Sequence, residues 1–373
     1  MQWFDFNFLI NSATHILTVC MVFSVVVFCH EFGHYFFARL FGVKIEVFSI
    51  GLGPEIFSFR DRSLTKWRIA ALPLGGYVRM LGDMNIASFA TSAASDVDKK
   101  IDPQAHDRSF SQASLTQRFI IALAGPLANF LLAILIIFGL LSFYGKPEVL
   151  PTVSNLEIGG PGREAGIEVG DVITEINGSA VHSFAEIKKI VAASPGLQLD
   201  IKYLRDGSEH HTKATPKSVR IKDGVDIGSL GMIFSDLQYK KLGLFSAFYL
   251  AALESYRSAM AICSIFKQML VSGEIMENIG GPIRIAQETT KYANLGISAL
   301  LWFVAILSIN LGLINLLPLP PLDGGHILYY LLVAVAEPLS ARFLKYGLFV
   351  GTILVVILLS FTAVNDILVL MRG

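Results

Sequence analysis

Long apolar runs alternate with shorter polar stretches along the 373 residues of this chain. Four of the runs provide the roughly 20 apolar residues that a helix needs to cross a bilayer. They occupy residues 16–40, 119–144, 297–317 and 346–368. A fifth run, residues 326–336, is too short to span and predicts a helix or re-entrant piece packed against the others. The pattern predicts a polytopic α-helical membrane protein with about four transmembrane helices.

The segments between the apolar runs predict further elements. Residues 43–82 alternate apolar and polar positions between Gly-rich breaks, which indicates a small membrane-associated β region. Residues 83–114 are polar and aperiodic, which favours a loop. Residues 149–217 predict a compact α/β module, with a strand that ends in an Asn-Gly turn at 177–178 and is followed by a helix and a hairpin. Residues 245–270 predict an amphipathic helix along the membrane surface.

These elements divide the chain into four predicted regions. They are an N-terminal membrane core (1–144), an inserted α/β domain (145–220), a membrane-surface helical linker (221–296) and a C-terminal membrane core (297–373).

Composition agrees with this division. Hydrophobic residues make up 53% of the chain and charged residues 16%, whereas soluble domains carry about 25% charged residues. The 30 basic and 30 acidic side chains cancel, so a nucleic-acid partner is not predicted. The three cysteines, Cys20, Cys29 and Cys263, form no CxxC pair, which argues against a disulfide framework or a Cys-rich zinc site.

The positions of basic residues predict the orientation in the membrane. No Lys or Arg precedes Arg39, and Arg39 and Lys44 follow the first run closely. Because basic residues favour the cytoplasmic side, the N-terminus is predicted outside, residues 41–118 inside and the α/β module outside. A cleaved signal needs a positive segment before its apolar stretch, so the first run is predicted to be a retained span.

The first apolar run contains the sequence HEFGH. Residues four apart lie on one face of a helix, so His30 and His34 can offer two imidazoles to one metal ion, and Glu31 lies close enough to act on a water there. The alternative is that both histidines are satisfied core residues. Ionisable groups in a span cost several kcal/mol without partners, which favours the metal site.

A catalytic zinc needs a third protein ligand, and Asp323 is the best candidate. It follows three prolines that break the third span and precedes a Gly-Gly pair that permits close approach. The alternative is that Asp323 only caps the next helix.

Polar side chains inside the spans are further candidates. Asn310 and Asn315 could hold a peptide group or a developing oxyanion, or could equally join helices by hydrogen bonds. Asn129 is predicted to serve helix packing. His326 is predicted to support a metal ligand from outside the ligand set.

These motifs together resemble the site-2 protease family of intramembrane metalloproteases, in particular the bacterial regulator of sigma-E protease group. The resemblance is carried by four stretches: residues 30–34 (HEFGH), 73–78 (PLGGYV), 124–130 (AGPLANF) and 315–326 (NLLPLPPLDGGH). It implies zinc ligands at His30, His34 and Asp323, a general base at Glu31, and the family's two asparagines at Asn310 and Asn315.

Residues 161–178 resemble part of a PDZ domain, and the chain has room for one copy where some family members carry two. The module is expected to bind an exposed peptide C-terminus or to control access. The edge of the β region, with Gly75, Gly76 and Tyr77, is predicted to hold an extended substrate by backbone hydrogen bonds.

The resemblance implies cleavage within or near transmembrane segments of single-pass membrane proteins, either anti-sigma-factor-like substrates or remnant signal peptides, in the inner membrane of a bacterium. The lipid bilayer is then the immediate surrounding of the enzyme. The competing classes are an inactive membrane PDZ scaffold and a metal-dependent transporter. A scaffold would have lost Glu31 or a ligand, and a transporter would carry ionisable groups along several spans.

Overall fold

The computed structural model describes residues 6–82, 109–220, 226–272, 281–319, 322–335 and parts of 350–371. The chain forms two compact units. The helical unit comprises Met1–Leu140 and Phe248–Gly373, and the inserted unit comprises Leu141–Ala247. Most of the predicted loop at 83–114 and part of the predicted fourth span at 346–368 lie outside the described residues.

Further helical residues lie between 350 and 371, and eight α-helices have defined bounds. In chain order they are α1 (Phe6–Leu40), α2 (Leu115–Phe143), α3 (Pro161–Glu164), α4 (Phe184–Ala192), α5 (Leu244–Ser272), α6 (Pro282–Asn294), α7 (Ile297–Asn315) and α8 (Asp323–Val335). Within the described parts of the chain, three stretches are long and apolar enough to cross a membrane: Ala13–Leu40, Leu115–Phe143 and Ile297–Asn315. They correspond to the first three predicted spans, and α8 corresponds to the short fifth run.

Twelve strands lie in the described parts of the chain. They are β1 (Ile45–Arg60), β2 (Lys66–Met80), β3 (Lys146–Val149), β4 (Asn155–Leu156), β5 (Val172–Ile176), β6 (Ser179–Ala180), β7 (Leu199–Arg205), β8 (Ser208–Ala214), β9 (Lys217–Arg220), β10 (Asp226–Ser229), β11 (Met232–Ile233) and β12 (Leu237–Lys240).

A sharp helix end directs the chain from α1 into the predicted β region. Gly42 has a φ of +77°. Its N–H donates to the carbonyl of Arg39, and the N–H of Val43 donates to that of Ala38. This pair of bonds is the Schellman motif, which a glycine in the left-handed region allows. The chain therefore turns back immediately, and β1 and β2 pack against α1.

The β1–β2 hairpin bends so that it forms four adjacent segments. Residues 45–50 pair with 76–80 on one side and with 66–69 on the other, and residues 55–60 pair with the outer side of 66–70. The segments 76–80 and 55–60 are consequently the two edges, because neither has a second partner among the described residues. The edge predicted from Gly75 to Tyr77 and beyond is thus present.

The inserted unit has its own core around a four-stranded antiparallel sheet of order β6-β5-β7-β8. Three isoleucines of β5 and β7, Ile173, Ile176 and Ile201, are fully buried in one cluster with Ile187 of α4. Tight turns connect β5 to β6 and β7 to β8. Each turn has two successive residues with positive φ, at 177–178 and 206–207. That conformation matches the twist of the flanking strands and favours Asn-Gly and Asp-Gly.

The inserted unit is longer than the predicted bounds of 145–220. After β8 the chain returns, and β11 pairs with β4 while β12 pairs with β3. Strands β11 and β12 thus join the first strands of the inserted unit. Residues up to Ala247, which the sequence analysis assigned to a helical linker, therefore belong to the inserted unit. The helix predicted at residues 245–270 is present as α5 (Leu244–Ser272).

A buried ion pair stabilises this unit. The Arg205 guanidinium donates to both carboxylate oxygens of Asp171 at 2.8 Å, and the backbone N–H of Glu168 donates to Oδ2. Burial alone would raise the pKa of Asp171, but these hydrogen bonds hold the pKa below its usual value. Asp171 therefore contributes stability above its unfolded pKa of about 3.9, and that contribution is lost as the pH falls through the folded value.

We expect Arg205→Gln to destabilise the inserted unit clearly, because it removes the side-chain donors of a buried carboxylate. Arg220→Gln is the matched control, since Arg220 pairs with Asp226 at an exposed site and should cost less than about 0.5 kcal/mol. Hydrogen exchange of the β5 and β7 amides in the full chain measures both. Equal effects of the two substitutions would contradict the expectation.

Candidate active site

Three side chains from two distant parts of the chain, the end of α1 and the start of α8, converge inside the helical unit. The Nε2 atoms of His30 and His34 lie 3.3 Å apart. Asp323 Oδ2 lies 3.1 Å from Nε2 of His30 and 3.4 Å from Nε2 of His34. Both histidines are buried, at 7% and 8% exposure. Among the described residues, this is the single group of His, Cys, Asp or Glu with spacing suited to a metal ion.

The hydrogen bonds of His34 determine which of its ring nitrogens faces the centre of the cluster. Nδ1 lies 2.7 Å from the backbone carbonyl of Ile121, and a carbonyl can only accept, so Nδ1 carries the proton. In the neutral ring, Nε2 then presents a lone pair to Asp323. Asp323 Oδ2 is buried and has no hydrogen-bond donor in the described part of the chain. A metal cation bound between these atoms would compensate all three of them at once.

The dimensions of the cluster fit zinc. Ligand atoms about 2.0–2.1 Å from a tetrahedral zinc ion lie roughly 3.3–3.4 Å from one another. The three observed separations are 3.1, 3.3 and 3.4 Å. Two imidazole nitrogens and one carboxylate oxygen also form a donor set of the type found in catalytic zinc sites, which leave the fourth position for water or substrate.

Small residues bring α1 and α2 into backbone contact at the cluster. A Cβ on Gly33 would overlap the carbonyl of Ala124 and come within 2.9 Å of the Ala128 side chain. A Cβ on Gly125 would overlap the His34 ring and come within 2.9 Å of His30 Cε1. The two glycines therefore let the imidazoles lie directly on the surface of α2, as small residues do at helix contacts in membranes.

A second close approach positions Asp323. The chain breaks after α7 and restarts in α8, whose first residue is Asp323. A Cβ on Gly324 would overlap the carbonyls of Leu316 and Leu317, so the glycine lets α8 start against the end of α7. No described backbone N–H donates to Asp323. The carboxylate thus faces the histidines and is not engaged as a helix cap.

Glu31 lies between the histidines and the sheet edge. Its side chain is buried, at 9% exposure, and it is close enough to His30, His34 and Asp323 for each to influence its charge. A Cβ built on Gly76 would lie 3.0 Å from Glu31 Cγ and 2.7 Å from the carbonyl of Ser49. The edge segment 76–80 therefore passes beside this carboxylate.

The predicted substrate-binding residues differ in how close they come to this cluster. Asn315 Nδ2 lies 3.4 Å from His30 Nε2, whereas Asn310, five residues earlier on α7, makes no described hydrogen bond to the cluster. Gly75 has a φ of +116° and lies next to the Leu52 side chain, so it shapes the turn before the edge. The Tyr77 ring lies under the Arg68 guanidinium at 5.8 Å, on the same face of the sheet.

Asn129 and His326 make contacts that the sequence analysis did not predict. Asn129, predicted to serve only packing, is fully buried and has Nδ2 at 3.1 Å from His30 Nδ1. Its signal in the sequence is the four-residue spacing from Gly125. His326 follows Asp323 by one turn, and its ring lies beside that of Tyr330.

The sequence of the whole chain agrees with this site. The model of peptidase family M50 matches residues 18–358. The chain belongs to peptidase family M50. As an M50 peptidase it is a zinc-dependent metalloendopeptidase, and its apolar helices together with the family indicate a membrane protein.

Relatives of this M50 peptidase align along nearly their full length. A candidate zinc metalloprotease of Mesorhizobium japonicum is 34% identical over 358 residues, which cover 93% of this chain and 96% of the relative. Metalloprotease MmpA of Caulobacter vibrioides is 34% identical over 377 residues, covering 94% and 95%. A solved PDZ domain of an SdrC-like protein from Listeria monocytogenes aligns with 22% of this chain and 84% of its own at 21% identity, with a TM-score of 0.20.

The contact of Gly125 with both histidines gives a testable expectation. Gly125→Ala should weaken zinc binding by at least about tenfold, since the new methyl displaces the ligand rings. Gly139→Ala is the control on the same helix, because a Cβ there meets nothing within 4 Å. Zinc affinity of the detergent-solubilised protein, measured by competition with a chelator, checks this. Equal affinities of the two variants would refute it.

Proposed function

We propose that this M50 peptidase cleaves peptide bonds within or near the transmembrane segments of single-pass membrane proteins. In this proposal His30, His34 and Asp323 hold the zinc ion and Glu31 is the general base. The observation that carries the proposal is the convergence of three electron-rich atoms beside Glu31, at separations of 3.1 to 3.4 Å, next to an open sheet edge.

The chemistry follows from the positions of these groups. Zinc, when bound, supplies a Lewis acid that polarises the scissile carbonyl and makes a water more acidic. Glu31 takes a proton from the attacking water and delivers it to the departing amine nitrogen, so the peptide C–N bond breaks and a carboxylate and an amine form. Asn315, beside His30 Nε2, donates a hydrogen bond to the developing oxyanion.

The edge segment 76–80 holds the substrate in this proposal. A transmembrane helix hides its own backbone groups, so several of its residues must become extended before cleavage. Strand addition to an open edge supplies the N–H and C=O partners that those residues lose when they leave the helix. The approach of Gly76 to Glu31 supports this assignment, because an added strand would run past the proposed base.

The wider arrangement is also part of the proposal. We assign the chain to a bacterial inner membrane, with its N-terminus and the PDZ-like inserted unit outside, and with the active site towards the cytoplasm. The fourth apolar run spans the bilayer, and α5, with exposed Phe245, Phe248 and Tyr249, lies along the membrane surface. Anti-sigma-factor-like proteins and remnant signal peptides are the substrate classes, which places the enzyme in regulated intramembrane proteolysis.

Substitution of the base and of the third ligand tests the assignment of roles. Glu31→Gln should lower turnover of a model transmembrane substrate by at least about a hundredfold and leave zinc content unchanged. Asp323→Asn should lower zinc affinity by more than roughly 10- to 100-fold, which is the usual cost of losing a residue that only hydrogen-bonds to a metal ligand. Zinc analysis and a cleavage assay in proteoliposomes measure both. Full turnover by the Glu31 variant would refute the role of Glu31 as general base. If the wild-type protein binds a membrane partner but cleaves nothing, the protein is better explained as a scaffold.

A methyl group at the sheet edge tests the substrate-binding assignment. Gly76→Ala should reduce cleavage by about tenfold or more and leave zinc affinity intact, because the new Cβ meets the Ser49 carbonyl and Glu31 without touching a ligand. Gly139→Ala again serves as the control. If the Gly76 variant cleaves its substrate normally, the edge does not hold the substrate at this position.

A further inference from the structure

The face of α2 that meets the histidines has a regular pattern. Three positions spaced by four residues contact the two rings: the carbonyl of Ile121 meets His34, Gly125 underlies both rings, and Asn129 meets His30. Four-residue spacing places these groups in one row along the helix. The row runs antiparallel to α1, so its two ends reach the two imidazoles.

Each end of the row meets the Nδ1 atom of one imidazole. At one end, Nδ1 of His34 donates to a carbonyl, which leaves Nε2 free to face the centre. At the other end, Nδ1 of His30 lies 3.1 Å from the Asn129 amide. For His30 to bind a metal through Nε2, its proton must also reside on Nδ1, and Nδ1 then needs an acceptor.

The amide of Asn129 can supply that acceptor. Its Oδ1 is fully buried and has no hydrogen-bond donor among the described residues, while Nδ2 faces the ring. That orientation suits a His30 tautomer with its proton on Nε2, directed at Asp323. A half-turn of the amide exchanges the two atoms, places Oδ1 against the Nδ1 proton and gives the orphaned oxygen a partner.

The backbone of Asn129 is fixed from a third helix. Ser308 Oγ on α7 donates to the carbonyl of Asn129 at 2.9 Å, and a Cβ on Gly312 would lie 3.4 Å from Asn129 Cβ. Asn129 is therefore held between α1 and α7. Its amide can rotate, but its position relative to His30 cannot shift without moving α7.

We propose that Asn129 is a positioning residue for the zinc site: its side-chain oxygen accepts the Nδ1 proton of His30 and so selects the tautomer whose Nε2 binds the metal. This inference rests on the proposed role of His30 as a zinc ligand. Asn129 does not touch the metal or the substrate and acts through the imidazole alone.

Two substitutions of Asn129 separate this role from simple packing. Asn129→Leu keeps a similar volume but removes the acceptor, and it should weaken zinc binding by about 10- to 100-fold, the usual cost of losing such a partner. Asn129→Asp keeps an acceptor for the Nδ1 proton, and an ionised carboxylate has no N–H that could face the ring instead. This variant should therefore bind zinc at least as tightly as the wild type. The readout is the zinc dissociation constant of the full-length protein in detergent, by chelator competition.

Two further variants complete the experiment. Thr289→Val removes another fully buried polar group of the helical unit, one whose hydroxyl bonds only within its own helix, and it should leave zinc affinity unchanged. His30→Ala tests the ligand assignment itself. If His30→Ala keeps its zinc, the proposed function fails. If His30→Ala loses zinc but Asn129→Leu retains it, or if Asn129→Asp weakens binding as much as Asn129→Leu, the inference about Asn129 is overturned and the zinc site stands.

Discussion

Mutual repulsion among buried lone pairs is the constraint on which the helical unit depends. His30, His34 and Asp323 direct electron-rich atoms at a common point, where water cannot compensate them. A cation removes the repulsion, but only if α1 and α8 hold these three side chains within a few tenths of an ångström of their positions. The glycines at the helix contacts and the bend after α7 are consequences of that requirement, since any larger side chain there would move a ligand.

The parts of the site that could be predicted from sequence are those encoded by local spacing. Two histidines four residues apart define one helix face, and a proline-broken segment with an aspartate indicates where a third ligand is available. The alternation of the inserted unit and its Asn-Gly and Asp-Gly turns likewise fixes strands and hairpins over a few residues. In each case the physical signal lies within one element.

The parts that could not be predicted depend on the register between elements. The contact of Asn129 with His30 joins residues 99 positions apart, and the four-residue spacing from Gly125 does not by itself distinguish a ring partner from a packing residue. The pairing of β11 and β12 with the first strands of the inserted unit could not be predicted either. Short exposed strands lack a strong alternation of apolar and polar residues. The order of segments in the β1–β2 sheet follows from bulges that the periodicity does not encode.

The position of the proposed third ligand also has a consequence for biosynthesis. Because Asp323 follows α7, a ribosome completes α1, α2 and the whole inserted unit before it makes the residue that closes the cluster. A growing chain offers only two imidazoles, which bind zinc weakly and leave the proposed base without an activated water. Under the proposed roles, the site therefore stays incomplete until α8 has been synthesised and Asp323 has reached His30 and His34, so peptide hydrolysis cannot precede folding of the helical unit.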